Sequence, residues 1–184
     1  AYPIIPKVRN VNLKNIFTLR TLEDGISLRE KLRQSTRAVI VGGGYIGIEV
    51  LEAFVANNVY TTLVESNETI MPALDSELAH IVQDYMGTIK SNLVHIITND
   101  RVVEFIGDSE VQAIKTASGQ IIETDLVLLS VGIKPTVEIA SSAGIELGPT
   151  GAIKVNSRME TNIRDIYACG DCIEEVYIMT LTPA

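Results

Sequence analysis

The chain has no tryptophan, two cysteines and two histidines, and aromatic residues fill only 5% of its 184 positions. Each scarcity excludes something. Two cysteines cannot build a disulfide framework, so stability has to come from a hydrophobic core and a cytoplasmic location is expected. His80 falls on the polar side of a predicted helix and His95 in a predicted strand, too isolated to found a metal centre. Basic residues are outnumbered, 15 against 23 acidic, and the net charge of -8 argues against nucleic acid or an anionic membrane surface as a partner, since either would want a basic face. No apolar run approaches the roughly 20 residues that cross a bilayer, and no secretory leader opens the chain. No Ser/His/Asp arrangement is visible, and the lack of a Tyr-x-x-x-Lys pair counts against alcohol chemistry by this chain alone.

What is present is a hydrophobic content of 46%, enough for one domain with a real core plus an appendage. The stretch from Ala38 to Glu49 organises it: an apolar run short enough for a buried strand meets Gly42-x-Gly44-x-x-Gly47, and helical spacing follows through Val50, Leu51, Phe54 and Val55. Gly42 allows a tight turn, Gly44 lets the backbone approach a pyrophosphate, and Gly47 lets the helix lie close on the sheet. The candidate cradle runs through Gly42, Gly43, Gly44, Tyr45, Ile46 and Gly47, where amide groups and the positive end of the helix dipole meet a bound anion. A second apolar run, Tyr60 to Val64, ends in Glu65, about 20 residues on, where a dinucleotide site places its ribose acid. Ser66 and Asn67 follow, with no Lys or Arg to neutralise a 2'-phosphate, so NAD(H) is expected rather than NADP(H). The plain alternative is a glycine turn followed by a solvated strand-end acid.

The remaining segments fit around this unit. Residues 1–20 read as an extended connector; Thr21 caps a helix through Lys31 with Glu23 and Asp24 in its first turn. Pro72 and Asp75 announce a further helix whose Leu78, Ile81, Val82, Tyr85, Met86 and Ile89 form one apolar stripe. A strand is expected at 93–97, three short antiparallel runs at 101–106, 111–116 and 120–122, and a buried strand at 126–131. The fold class is therefore α/β: a Rossmann-like parallel sheet with helices on its faces and an antiparallel β-meander. The boundaries are a connector and lead-in helix over 1–35, a nucleotide-binding domain over 36–131, and loops and short strands over 132–184. The chain opens Ala-Tyr-Pro without methionine and stops at Ala184 without a closing element, so both ends are read as cut.

Four stretches, Phe17 to Asp24, Val41 to Glu49, Val131 to Pro135 and Thr161 to Asp171, resemble the flavin-dependent pyridine nucleotide-disulfide oxidoreductases, in particular the branch of coenzyme A disulfide reductases, NADH oxidases and NADH peroxidases. The resemblance implies a glutathione-reductase-like NAD-binding domain with flanking strands of an FAD domain. It assigns Asp171 to the ribityl chain of FAD, Glu49 and Gly132 to the nicotinamide half of NADH, and Tyr45 to a ring over the nicotinamide pocket. It further implies that the remainder of the FAD domain, a redox cysteine and a homodimerisation domain lie outside this chain. Without the resemblance, Tyr45 is core packing, Glu49 is dipole complementarity on a solvated face and Gly132 is a plain turn.

Cys169-Gly-Asp-Cys172 matches the spacing of a dithiol pair. A strand-like lead-in at 166–168 and the acids Glu174 and Glu175 favour two reduced, buried structural cysteines instead. Three functions stand at this point: the NAD(H)-binding part of a flavoprotein that moves hydride from NADH through FAD to a disulfide, persulfide, peroxide or oxygen; an NAD(H)-binding or redox-sensing module without catalysis; and a dithiol oxidoreductase.

Overall fold

Arg37–Val41 is apolar at four successive positions, as suits a strand covered on both faces, and in the computed structural model it runs through the middle of a parallel sheet. The structure describes residues 1–88, 92–174, 176–177 and 182–183. In chain order the elements are β1 (Tyr2–Pro3), β2 (Ile16–Phe17), α1 (Leu22–Leu32), β3 (Arg37–Val41), α2 (Tyr45–Ala56), β4 (Tyr60–Val64), α3 (Ser76–Thr88), β5 (Val94–Ile97), β6 (Val102–Ile106), β7 (Ala113–Thr116), β8 (Ile121–Glu123), β9 (Leu126–Leu129), β10 (Ile133–Lys134), α4 (Glu138–Ser142), β11 (Val176–Tyr177) and β12 (Thr182–Pro183). They form two compact units, residues 3–132 and residues 1–2 with 133–184.

In the larger unit five parallel strands lie in the order β2-β9-β3-β4-β5. Alternation along the strands divides the core. Ala38, Ile40, Leu63, Leu126 and Leu128 pack with Leu28 and Leu32 of α1, Leu51 and Phe54 of α2 and Met86 of α3. Val39, Val41, Val64, Val127 and Leu129 face the other way, onto Val102, Phe105 and Ile114 of the antiparallel sheet β6-β7-β8. The three helices thus share one face and the meander covers the other.

Local chemistry explains the ends of α1: the Thr21 hydroxyl accepts from the Asp24 amide, and Asp24 Oδ2 accepts from the Thr21 amide at 2.9 Å, a complete capping box. Two placements differ from the sequence expectation. Ile16–Phe17, read within a connector, is the edge strand beside β9; a strand of two residues is too short to show a period. The stripe on α3 also divides, with Met86 buried and Val82 half-buried while Leu78, Ile81 and Tyr85 are exposed. This helix packs on β5, the last strand of the sheet, and an edge offers less surface to cover. Ile89 of that stripe lies outside the described residues, as do Glu175 and the chain end at 178–181 and 184.

The smaller unit holds α4, the two-residue strands β10, β11 and β12, of which β11 pairs antiparallel with β12, and loops joined by single bridges such as Leu147 with Ile153 and Ile153 with Ile173. Ala152, Ile153 and Ile173 are its buried apolar residues among those described.

Candidate functional site

At the carboxyl end of β3 the backbone turns at Gly42 with φ 103°, a conformation that favours glycine. The space is as restrictive as the angle. A Cβ on Gly42 would lie 2.4 Å from the Ser130 carbonyl oxygen, and one on Gly47 would lie 2.1 Å from the Gly42 carbonyl oxygen. Gly44 differs: it is the N-cap of α2, and no protein atom lies within 4 Å of its ideal Cβ position. It offers no capping side chain, and the first turn of α2 carries no acid. The helix therefore begins with amide donors and a positive dipole end beside open space, the physical requirement for holding a diphosphate.

Glu65 follows β4 and reaches this turn. Its Oε2 accepts the Gly43 amide at 2.7 Å, while Oε1 accepts the Asn67 amide at 2.8 Å, the Asn67 Nδ2 at 2.7 Å and the Ser66 hydroxyl at 3.1 Å. The residue is 5% exposed. Burial pushes its carboxyl up, but the Asn67 and Gly43 amides, with the Asn67 and Ser66 side chains, outweigh it and hold the group below the usual glutamate range. Oε1 is filled by its three donors, whereas Oε2 with one donor retains an acceptor position, room for one hydroxyl rather than two.

The other expected site residues divide. Gly43 gives its amide to Glu65 and its carbonyl to the Met71 amide at 2.7 Å; a Cβ there would meet Ile70 Cγ2 at 2.9 Å. Both of its backbone groups thus help to lock the turn. Ser66 likewise serves the Glu65 carboxylate. Tyr45, Ile46 and Glu49 are exposed on α2, so Tyr45 is not core packing. Gly132, at φ 114°, is exposed just beyond β9 and its carbonyl accepts the Ile4 amide at 2.9 Å.

Asp171 belongs to the smaller unit, exposed in a turn where Gly170 has φ 77° and its carbonyl accepts the Ile173 amide at 3.0 Å. Both neighbouring cysteines are free. Cys172 is half-buried and its thiol donates to the Cys169 carbonyl at 3.3 Å, but Cys169 is exposed, contrary to the burial expected of it, because the Gly170 turn presents it outward. The Glu174 carboxylate is held by the Thr150 amide and hydroxyl, both at 2.8 Å.

Sequence reasoning passed over Asn67, Ile70, Met71 and Ser130. Asn67, two residues beyond the acid, stands out in the sequence only for lacking charge; its amide and side chain both donate to that acid. Ser130 follows β9 directly, and its hydroxyl donates to the Gly42 carbonyl at 2.7 Å and the Val41 carbonyl at 3.1 Å. No signal in the sequence joins residues 42 and 130; the strand order does. Among the described residues, no group of His, Cys, Asp and Glu could hold a metal ion, and no helix is long and apolar enough to cross a membrane.

Known proteins resemble the chain over nearly its whole length. An NAD(P)H sulfur oxidoreductase (CoA-dependent) of Pyrococcus abyssi is 34% identical over 183 residues, covering 98% of this chain and 40% of that protein. A NAD-dependent persulfide reductase from A. fulgidus superposes with a TM-score of 0.91 at 30% identity, over 100% of this chain and 34% of that one. A water-forming NADH oxidase from Lactobacillus brevis, bound to NADH, superposes at 0.86 with 26% identity, over 100% of this chain and 40% of that one. The chain thus spans about two fifths of the length of its curated relative. Its homologues are NAD(P)H-dependent flavoprotein oxidoreductases. Residues 1–184 match the model of the pyridine nucleotide-disulphide oxidoreductases, and the chain belongs to that family.

Proposed function

We propose that residues 36–131 are the NAD(H)-binding domain of a flavoprotein that passes hydride from NADH to FAD and on to a disulfide, persulfide, peroxide or oxygen. The observation that carries this is the buried Glu65 carboxylate bonded to the Gly43 amide at 2.7 Å, beside a helix start that is open over Gly44. The diphosphate lies over Gly44, Tyr45 and Ile46, whose amides supply donors, and the adenine ribose meets the remaining acceptor position of Glu65 Oε2. A 2'-phosphate there would face an ionised carboxylate with only Ser66 and Asn67 beside it, so NADH is preferred over NADPH.

For the nicotinamide half, the family resemblance places Tyr45 over the ring and Glu49 and Gly132 beside it. All three are exposed, as those roles require. FAD, when bound in the complete protein, supplies the two-electron relay between NADH and the acceptor. Asp171, exposed on its turn, would meet the ribityl chain; the rest of that site lies in the remainder of the FAD domain, and residues 132–184 are the return segment toward it. We place the full-length protein in the cytoplasm, in keeping with the two free cysteines of this chain, and as a homodimer on the family resemblance. The alternative, an NAD(H)-binding module without catalysis, draws on one feature: every nucleotide-contacting residue named here except Asp171 lies within residues 3–132.

Calorimetric titration of the 184-residue chain with NADH and with NADPH tests the proposal. Saturable NADH binding with weaker NADPH binding is expected; equal dissociation constants would refute the role given to Glu65.

A further inference from the structure

The peptide group joining Gly42 to Gly43 is held at both ends by side chains that directly follow two different strands, β9 and β4. Its carbonyl accepts the Ser130 hydroxyl at 2.7 Å, and its N–H donates to Glu65 Oε2 at 2.7 Å. The neighbouring peptide, Gly43 to Gly44, is fixed through its carbonyl by the Met71 amide at 2.7 Å. Met71 has φ 53°, and the Ile70 amide donates to Gln83 of α3 at 3.2 Å, so the segment that supports the turn is itself constrained. Rotation of the 42–43 peptide would move a hydrogen-bond donor away from the carboxylate and the Gly42 carbonyl out of its close fit over Gly47. A carbonyl that accepts a hydrogen bond also polarises its peptide, which strengthens the bond made by the N–H on the other side.

We infer that Ser130 is a positioning residue for the nucleotide site: through the Gly42–Gly43 peptide its hydroxyl sets the placement of Glu65 Oε2, and thereby the affinity for the adenine ribose and the choice of NADH over NADPH. Ser130 touches no part of the ligand. This rests on the assignment of the glycine turn to NAD(H).

The test uses the 184-residue chain with Ser130→Ala, Ser130→Cys, Glu65→Gln and the double variant Ser130→Ala/Glu65→Gln. Ser130→Ala weakens NADH binding about 3- to 10-fold, the worth of one neutral hydrogen bond, while NADPH binding changes less, so discrimination narrows. Ser130→Cys, with a weaker donor of similar size, falls between. In the Glu65→Gln background the Ser130→Ala change has little further effect, because the group it positions is gone. A merely structural role would lower both affinities alike and multiply with Glu65→Gln. In the ligand-free protein, the Gly43 amide proton resonance moves upfield in Ser130→Ala, reporting a weaker bond to Glu65. Wild-type affinity in a folded Ser130→Ala variant, multiplicative losses, or an unmoved Gly43 resonance overturns the inference. Failure of the wild-type chain to bind NADH would refute the nucleotide assignment instead, and the Gly43 resonance would still decide whether Ser130 acts on Glu65.

Discussion

Glu65 carries two duties that substitution separates. As the acceptor for Gly43, Ser66 and Asn67 it closes the turn, and in the function proposed above its ionised group faces the ribose. Glu65→Ala is expected to weaken NADH binding by about 1 to 3 kcal/mol, the cost of losing a hydrogen bond to a charged acceptor, and to bring NADPH closer to NADH; unchanged affinity in calorimetry would remove it from the site. The same scale decides between the two cysteines. Cys169 is exposed, whereas the Cys172 thiol is half-buried and turned onto the Cys169 carbonyl. A maleimide added to the native, reduced chain should therefore modify Cys169 first, as peptide mass mapping would show. Equal rates would mean that the turn at Gly170 opens faster than the reagent reacts.

At the scale of elements, the strand-turn-helix unit makes opposite predictions for two of its glycines. Gly47→Ala drives a Cβ to 2.1 Å from the Gly42 carbonyl oxygen, so β3 and α2 must separate; a loss of about 1 to 3 kcal/mol should appear in chemical denaturation. Gly44→Ala meets nothing within 4 Å and needs no unusual φ, since Gly44 sits at -75°. Its stability should stay within about 1 kcal/mol of wild type, the range of an N-cap change, while NADH affinity falls at least several-fold because the new methyl enters the space proposed for the diphosphate. If Gly44→Ala binds NADH normally, the diphosphate does not lie there. This unit was legible in the sequence because strand, glycines, helix and acid are local, and each has one dominant physical requirement. The α1 cap was legible for the same reason, through Thr21 and Asp24. Non-local features were not: β2 is recognisable only by its pairing with β9, the exposed side of α3 follows from its place over an edge strand, and Ser130 meets Gly42 only because β9 inserts beside β3. A motif also does not say which of its amides the protein uses internally, as it uses that of Gly43 on Glu65.

For the molecule as a whole, carboxylates act as acceptors at the junctions between elements, and this sets its response to acid. Asp125, just before β9, accepts the amides of Thr36 and Arg37 at 2.8 and 2.9 Å where β3 begins; Asp100, just after β5, accepts the Ser118 hydroxyl at 2.6 Å and the Arg101 amide at 2.8 Å. Burial pushes both carboxyls up, but the hydrogen bonds win and hold them, like Glu65, below their ordinary range, with Asp100 lowered to about 2. A carboxyl whose folded pKa is depressed contributes stability above its unfolded pKa and loses that contribution as pH falls through the folded value. The chain carries a net charge of -8 at pH 7 with a pI near 4.8, so self-repulsion fades on the way down to that point and offers no reason for early unfolding. The melting temperature should therefore hold roughly level to about pH 5 and drop below about pH 4, where unfolded carboxylates take up protons more readily than folded ones. Asp100→Asn should lower stability at pH 7 by about 1 kcal/mol, allowing for solvent screening, and flatten the acid loss between about pH 4 and 2. A variant whose melting curve runs parallel to wild type through that window would show that Asp100 does not couple the end of β5 to the turn after β7.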